Sequence, residues 1–200
     1  RLFDSVMGWD QYNTKLLSAG GRIYSRQDKV LKLTKQIKQR FGLDKDEVSP
    51  NELMTAILKS QTDLIWFGGI GTYVKSKDEN HTDASDKAND AIRINACQLS
   101  ARVVGEGANL GVTQKARIEF ANLDGKINAD FIDNAGGVNS SDVEVNIKIL
   151  LNKMTKGKKP VLTVSARNKL LESMTTDVEN LVLKNSYQQA QAVSLMTFNA

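Results

Sequence analysis

The sequence repeats one arrangement three times: a short apolar run, a loop of small residues, and then a segment with helical character. The apolar runs are Asp63–Phe67, Arg102–Gly105 and Lys126–Ile132. The loops that follow them are Gly68–Gly71, Glu106–Asn109 and Asn134–Gly137. Strands that alternate with helices in this order are typical of a parallel α/β sheet. Because the carboxyl ends of parallel strands lie at one edge of a sheet, we predict that the three loops converge there.

Capping patterns and apolar periodicity predict the helices. Ser49, Pro50 and Glu52 supply a capping serine, a proline at the first helical position and a glutamate three residues after the cap. Ser141 and Glu144 repeat the serine-to-glutamate spacing, which predicts a second capped helix start at Ser141. The other predicted helices are a crossover helix over Ala84–Ile94 and further helices over Thr113–Ala121, Ser165–Lys184 and Tyr187–Met196.

The composition is that of an ordinary globular chain. Of the 200 residues, 40% are hydrophobic and 25% are charged, which is enough to bury a core. The net charge is only +4, and no aromatic residue interrupts the lysine-rich segments, so we do not expect nucleic-acid binding. No apolar run approaches eighteen residues, so we expect no membrane span.

Cysteine and histidine content limits the available chemistry. Cys97 and His81 are each the only residue of their type, so neither an internal disulfide nor a cysteine or histidine-pair metal site is expected. A chain without disulfides fits a reducing, cytoplasmic location. The sequence does not begin with Met and has no signal pattern, so we expect it to be a piece of a longer protein.

The three loops carry groups that are suited to a ligand. Gly68 and Gly69 have no Cβ and would let a flat ligand approach the backbone. The amides of Asn109 and Asn134 both donate and accept hydrogen bonds, which suits a ribose hydroxyl or a carboxamide. Ser141, as a helix cap, would lie beside free N–H groups that attract an anion. These features predict a site for a nicotinamide ribose with an anionic substrate beside it.

Each feature also has a purely structural explanation. A glycine-rich loop after a strand forms tight turns, and asparagine at a turn tolerates the left-handed conformation. Ser141 and Glu144 can serve simply as a capping box, and Glu106 can be a solvated or locally paired acid. The coincidence of these features on three consecutive loops is what favours a ligand site.

Three segments closely resemble the large, multidomain bacterial NAD-specific glutamate dehydrogenases. They are LIWFGGIGTYVK (64–75), VVGEGANLGVTQKARIEFA (103–121) and IDNAGGVNSSDVEVNIKILL (132–151). LLSAGGRIY near the start and residues 183–192 fit the same family, so the resemblance covers nearly the whole chain. It implies an α/β fold with a partial Rossmann-like parallel sheet and flanking helices. Residues 1–155 would hold this sheet and form the later part of an NAD-binding domain. Residues 156–200 would form a helical C-terminal extension.

The resemblance also implies roles for individual residues. The cofactor-binding residues would be Gly68, Gly69, Glu106, Asn109 and Asn134, and the substrate-binding residues would be Asn134 and Ser141. Asn109 matches an amide that contacts the nicotinamide-side ribose, and Ser141 matches a serine that helps to hold the side-chain carboxylate of glutamate. Asp142 and Val143 stand where the small hexameric glutamate dehydrogenases have aromatic residues.

The chain lacks the groups that would carry out proton transfer in this family. It has no G-x-G-x-x-G motif, and in the family the phosphate loop and the catalytic lysine and aspartate precede the matching segment. We therefore expect no catalytic residue and no metal site here. The parent enzyme, a homo-oligomer, would convert L-glutamate to 2-oxoglutarate and ammonia while reducing NAD, and this chain alone would be inactive. The alternatives are a dehydrogenase for another amino acid and a non-catalytic interaction module with a weakly basic face.

Overall fold

Helices and strands alternate along the chain in the computed structural model, which describes residues 8–156 and 159–198. This confirms the predicted α/β class. The described residues form two compact units. Unit 1 comprises those within 1–104 together with 110–127, and unit 2 comprises 105–109 and those within 128–200. The predicted domain division into 1–155 and 156–200 stays a prediction. No helix in the described part of the chain has the length and apolar character that crossing a membrane requires.

The secondary structure consists of short strands followed by longer helices. The strands are β1 (Leu31–Lys32), β2 (Glu47–Val48), β3 (Thr62–Phe67), β4 (Val74–Lys75), β5 (Ile94–Asn95), β6 (Ala101–Glu106) and β7 (Lys126–Ile127). The α-helices are α1 (Lys35–Phe41), α2 (Pro50–Leu58), α3 (Gln114–Asn122), α4 (Asp130–Asp133), α5 (Ala135–Met154), α6 (Val164–Ser173) and α7 (Thr175–Phe198). Short 3₁₀ turns lie at Trp9–Gln11, Thr14–Leu16, His81–Ala84, Lys87–Asn89 and Ala96–Gln98.

A three-stranded sheet with the order β3-β6-β7 lies beside the main core of unit 1. Strands β6 and β7 are parallel, with Val104 opposite Ile127. The predicted strands Asp63–Phe67 and Arg102–Gly105 are confirmed within β3 and β6. The buried core consists of Phe67, Val74, Ile94, Ala96, Val104, Val112, Ala116 and Phe120.

Strand β3 is buried on one face only. Phe67 is buried and Ile65 packs against the core, whereas Leu64 and Trp66 are 51% and 57% exposed. Side chains alternate between the two faces of a strand, so a continuous apolar run does not by itself require that both faces are covered. The apolar run Asp63–Phe67 predicts a buried strand. This prediction is correct for the face that carries Phe67 and Ile65 and wrong for the face that carries Leu64 and Trp66.

The predicted third strand, Lys126–Ile132, is mostly wrong. Its strand conformation ends at Ile127, and Asp130–Asp133 form the short helix α4. Asp130 and Asp133 both lie in the first turn of α4, where a carboxylate is favoured by the positive end of the helix dipole. The preference of these two aspartates for the first turn of a helix therefore outweighs the tendency of the apolar residues to form a strand.

The predicted helix start at Ser141 is also wrong. Helix α5 begins at Ala135, with Asn134 as its N-cap, so Ser141 lies inside the helix and caps nothing. The Ser140 hydroxyl donates to the Gly136 carbonyl at 2.7 Å, one turn earlier in the same helix. Glycine weakens a helix by about 1 kcal/mol relative to alanine, which is why the sequence predicts a loop here. A helix of 20 residues tolerates that cost.

The C-terminal helical prediction is confirmed apart from the position of one break. The predicted helix over 165–184 is divided at Met174 between α6 and α7, and the predicted separation between residues 184 and 187 is wrong, because α7 runs through it. The Met174 N–H donates to the carbonyls of Leu170 and Leu171, which closes the end of α6. Helix α7 includes the whole of the predicted tail helix.

The predicted crossover helix over Ala84–Ile94 is absent. The segment instead contains two 3₁₀ turns and then β5, which pairs in parallel with β4. Lys75 of β4 is buried, and its ammonium group donates to the Ser76 carbonyl at 3.2 Å, the Glu79 carbonyl at 2.8 Å and Asn95 Oδ1 at 2.6 Å. These bonds use all three ammonium hydrogens and tie the loop that follows β4 to Asn95 of β5.

The buried side chain of Arg93 also holds this segment in place through hydrogen bonds. Its side chain is 0% exposed, and Nε donates to the Thr72 carbonyl at 2.8 Å. Nη1 donates to Asp90 Oδ1 at 2.5 Å and lies 3.0 Å from His81 Nδ1, while Nη2 donates to the Asp86 carbonyl. A buried guanidinium must satisfy its donors inside the protein, so it fixes the surrounding turns.

The side chain of Asp86 completes this arrangement. Its Oδ2 accepts hydrogen bonds from Asn89 Nδ2 at 2.6 Å and from the Thr72 N–H at 2.8 Å. These two bonds, with a smaller contribution from the nearby Arg93 guanidinium, hold the pKa of Asp86 below its usual value. The carboxylate therefore stays ionised beside the buried cation.

We predict that Arg93→Met destabilises unit 1 by at least about 2 kcal/mol, because the substitution leaves buried acceptors without their donor. Urea unfolding followed by circular dichroism would measure the loss. Arg102→Met is the matched control, since Arg102 is 82% exposed and pairs at 3.4 Å with the exposed Asp63. It should change stability little. Equal losses in the two variants would contradict a structural role for Arg93.

The capping box at the start of α2 is confirmed. The Ser49 hydroxyl accepts from the Glu52 N–H at 3.2 Å, and the Glu52 carboxylate accepts from the Ser49 N–H at 2.7 Å and from Lys45 Nζ at 2.9 Å. The Ser49 N–H, followed by Lys45, lowers the pKa of Glu52 from its usual 4.5 to about 2.

We predict a specific acid sensitivity from this cap. Because the folded pKa lies below 4.5, ionised Glu52 stabilises the fold above that pH and loses this effect as the pH falls toward 2. Glu52→Gln should therefore reduce the dependence of unfolding free energy on pH over this window, measured by urea unfolding. Glu47→Gln, which removes an exposed carboxylate 3.9 Å from Lys32, is the control. An unchanged slope in Glu52→Gln would refute the prediction.

Candidate functional site

Two of the predicted site residues are in direct contact. Asn134 Nδ2 donates a hydrogen bond to Asn109 Oδ1, although the residues are 25 positions apart in the sequence. Both belong to unit 2, where Asn109 is exposed and Asn134 is half-buried. One bound molecule can therefore reach both side chains, as the sequence predicts.

The pair keeps one donor and one acceptor for a ligand. Among the described residues, no side chain or backbone group bonds to the Asn109 amide NH₂ or to the Asn134 amide oxygen. A ribose hydroxyl and a carboxamide each offer both a donor and an acceptor, so either group can bind to the pair. The unused Asn109 NH₂ and Asn134 amide oxygen therefore fit the nicotinamide side of a dinucleotide.

Asp133 connects the segments that carry these two amides. Its Oδ2 accepts from the Glu106 N–H at 3.0 Å, and its Oδ1 accepts from Asn128 Nδ2 at 3.1 Å. Sequence reasoning did not identify Asp133 or Asn128. The only local signal is an acid immediately before Asn134, and it does not reveal a partner 27 residues away.

Glu106 ends β6 with a side chain that is 0% exposed and makes contacts inside the protein. The interpretation of Glu106 as a solvated acid is therefore wrong. The assignment of Glu106 as a cofactor-binding residue stays a prediction.

Gly68 and Gly69 follow β3 in unit 1 and are exposed. Neither has a positive φ. An added Cβ at Gly69 would meet nothing within 4 Å, and at Gly68 it would make only an ordinary 3.7 Å contact with the Trp66 ring. The local fold therefore does not require glycine at either position, so a tight turn does not explain this pair.

Gly71, two residues later, behaves differently. Its φ is +146°, and an added Cβ would lie 2.7 Å from both the Tyr73 hydroxyl and Asn89 Nδ2. Glycine at this position is a structural requirement of the loop. The three glycines of this loop thus divide into one that the fold needs and two that it does not.

Ser141 lies on α5, seven residues after Asn134, and is exposed. Seven residues correspond to two helical turns, or about 10 Å along the axis, on the same face of the helix. The anion-binding argument from a helix start does not apply to Ser141, because the N–H groups around it belong to the helix interior. Its substrate role stays a prediction.

Comparison with known proteins adds an independent finding. The family model described as "Bacterial NAD-glutamate dehydrogenase, catalytic domain" matches residues 1–196. The NAD-specific glutamate dehydrogenase of Halomonas elongata is 52% identical over 196 residues, and the match covers 98% of this chain and 12% of that protein.

Two further relatives carry the same name. The NAD-specific glutamate dehydrogenase of Pseudomonas aeruginosa is 53% identical over 94% of this chain, and that of Mycobacterium tuberculosis is 42% identical over 96%. The chain spans only 11–12% of the length of these curated relatives. The family match over 196 residues nevertheless covers nearly all of this sequence, and the chain belongs to the bacterial NAD-glutamate dehydrogenase family.

Proposed function

We propose that this chain forms the nicotinamide-side wall of the cofactor site in an NAD-dependent glutamate dehydrogenase. The observation that carries the proposal is the Asn109–Asn134 pair, which leaves one donor and one acceptor for a ligand. Asn134 Oδ1 would accept from the ligand and Asn109 Nδ2 would donate to it. The family membership supports NAD as the cofactor, because the relatives are named NAD-specific.

In this proposal the substrate is L-glutamate and the products are 2-oxoglutarate and ammonia. NAD, when bound, accepts the hydride from Cα of the substrate. The residues of this chain orient the nicotinamide ribose and carboxamide, which reduces the entropy cost of bringing the two reactants together. Asn134 would also lie close to the substrate, and Ser141 would contact its side-chain carboxylate.

The proposal assigns no proton-transfer group to this chain. Residues 1–155 would be the later part of a Rossmann-like NAD-binding domain, and 156–200 its helical extension. The rest of a larger bacterial, cytoplasmic, homo-oligomeric polypeptide would supply the phosphate loop and the catalytic groups. The chain alone would then reduce no NAD in the presence of glutamate.

Asn134→Ala and Asn109→Ala should each raise the KM for NAD about three- to tenfold in the complete polypeptide that carries this chain, because each removes one hydrogen bond to the cofactor. Steady-state kinetics with saturating glutamate measures the effect. Asn146→Ala is the control, since the bond that the Asn146 amide makes among the described residues is to the Asp142 carbonyl of its own helix α5. An unchanged KM in both site variants would overturn the proposed function.

Titration with the two halves of the cofactor tests which half binds at this pair. In the chain itself, nicotinamide mononucleotide at millimolar concentration should shift the side-chain amide NMR signals of Asn109 and Asn134, whereas AMP should not. A response to AMP alone would place the adenosine half at this pair and contradict the proposal.

Gly69→Ala should raise the KM for NAD several-fold while the free energy of unfolding is unchanged or slightly higher, because the new methyl group has open space in the fold. Gly71→Ala is the contrasting variant and should destabilise the protein by about 1–3 kcal/mol through backbone strain. Urea unfolding and cofactor kinetics separate the two effects. A Gly69→Ala variant with unaltered KM would remove Gly69 from the cofactor site.

A further inference from the structure

The Asp133 carboxylate joins two parts of unit 2 through one oxygen and is held in place through the other. Oδ2 accepts from the Glu106 N–H at 3.0 Å, and Oδ1 accepts from Asn128 Nδ2, five residues earlier in its own segment, at 3.1 Å. Hydrogen bonds to an ionised carboxylate are roughly twice as strong as those between neutral groups. With donors on both sides, the side chain at position 133 must accept at both of its terminal atoms, which a carboxylate does and an amide does not.

The two segments joined in this way are those that carry the paired asparagines. Asp133 immediately precedes Asn134, and Glu106 lies three residues before Asn109. Asn109 is exposed, and its side-chain oxygen accepts a hydrogen bond from the Asn134 amide. A hydrogen bond between two neutral amides is weaker than one that an ionised carboxylate accepts. The bond from the Glu106 N–H to Asp133 is therefore the stronger of these two links.

We propose that Asp133 is a positioning residue for the cofactor, acting through Asn109 and Asn134 and touching neither cofactor nor substrate. This inference rests on the proposed function. Its role is to keep the free donor of Asn109 and the free acceptor of Asn134 at the spacing that one nicotinamide ribose or carboxamide requires. A displacement of such groups by about 1 Å costs up to a hundredfold in rate.

This role can be tested by exchanging the side chains of Asp133 and Asn128. In Asp133→Asn, the new amide oxygen can still accept from the Glu106 N–H, but its NH₂ faces the NH₂ of Asn128, so one bond is lost. Adding Asn128→Asp restores an acceptor opposite that NH₂ and rebuilds the bond between residues 128 and 133 with donor and acceptor reversed, while the Glu106 N–H still donates to residue 133. The net charge of the double variant equals that of the original protein.

Asp133→Asn should lower kcat/KM for NAD about tenfold in the complete polypeptide, and the D133N/N128D double variant should recover most of this loss. The KM for NAD should rise more than the KM for glutamate. In the chain itself, Asp133→Asn should shift the side-chain amide NMR signals of Asn109 and Asn134, and the double variant should return them. Asp177→Asn, which neutralises an exposed acid in α7, is the control and should change none of these quantities.

Unchanged kinetics in Asp133→Asn would overturn the positioning role. So would a kinetic loss that the double variant fails to recover, because the loss would then follow the charge of Asp133 and not its bonds. If Asn109→Ala and Asn134→Ala raise the KM for NAD while Asp133→Asn does not, this inference fails and the proposed function stands. If the two alanine variants have no effect, the proposed function itself fails.

Discussion

The hydrogen bonds between the end of β6 and the turn that precedes α5 are the interactions on which the candidate site depends. The Asp133 carboxylate accepts from the Glu106 N–H, and the Asn134 amide donates to Asn109. Together they fix two segments separated by more than 20 residues of chain. These bonds place the two asparagine side chains within reach of one bound molecule.

The glycines after β3 also support the functional proposal, because the fold requires one of them and not the other two. Gly71 is explained by its positive φ and by the close approach of the Tyr73 side chain. Gly68 and Gly69 have no comparable structural cause. A small residue that the fold does not need is consistent with a surface that a ligand approaches closely, and this agrees with the role that the family resemblance implies for the pair.

Unit 1 shows how buried polar groups can replace regular secondary structure. Arg93 and Lys75 are buried, and each satisfies its donors with backbone carbonyls and polar side chains. These bonds hold the segment between β4 and β5 in turns, although the order of strands and loops in the sequence predicts a crossover helix over Ala84–Ile94. Helical propensity is worth a few tenths of a kcal/mol per residue, whereas an unsatisfied buried cation costs several kcal/mol. The larger energy decides the conformation.

The sequence by itself determined the features whose causes lie within a few residues: strands β3 and β6, the Ser49–Glu52 cap, the α/β class and the family. Only the tertiary structure decided that α5 begins at Ala135 and that Asn109 meets Asn134. Capping and side-chain alternation act between near neighbours and can be recognised in a sequence. A hydrogen bond across 25 residues depends on where packing places both partners, and no local pattern encodes that position.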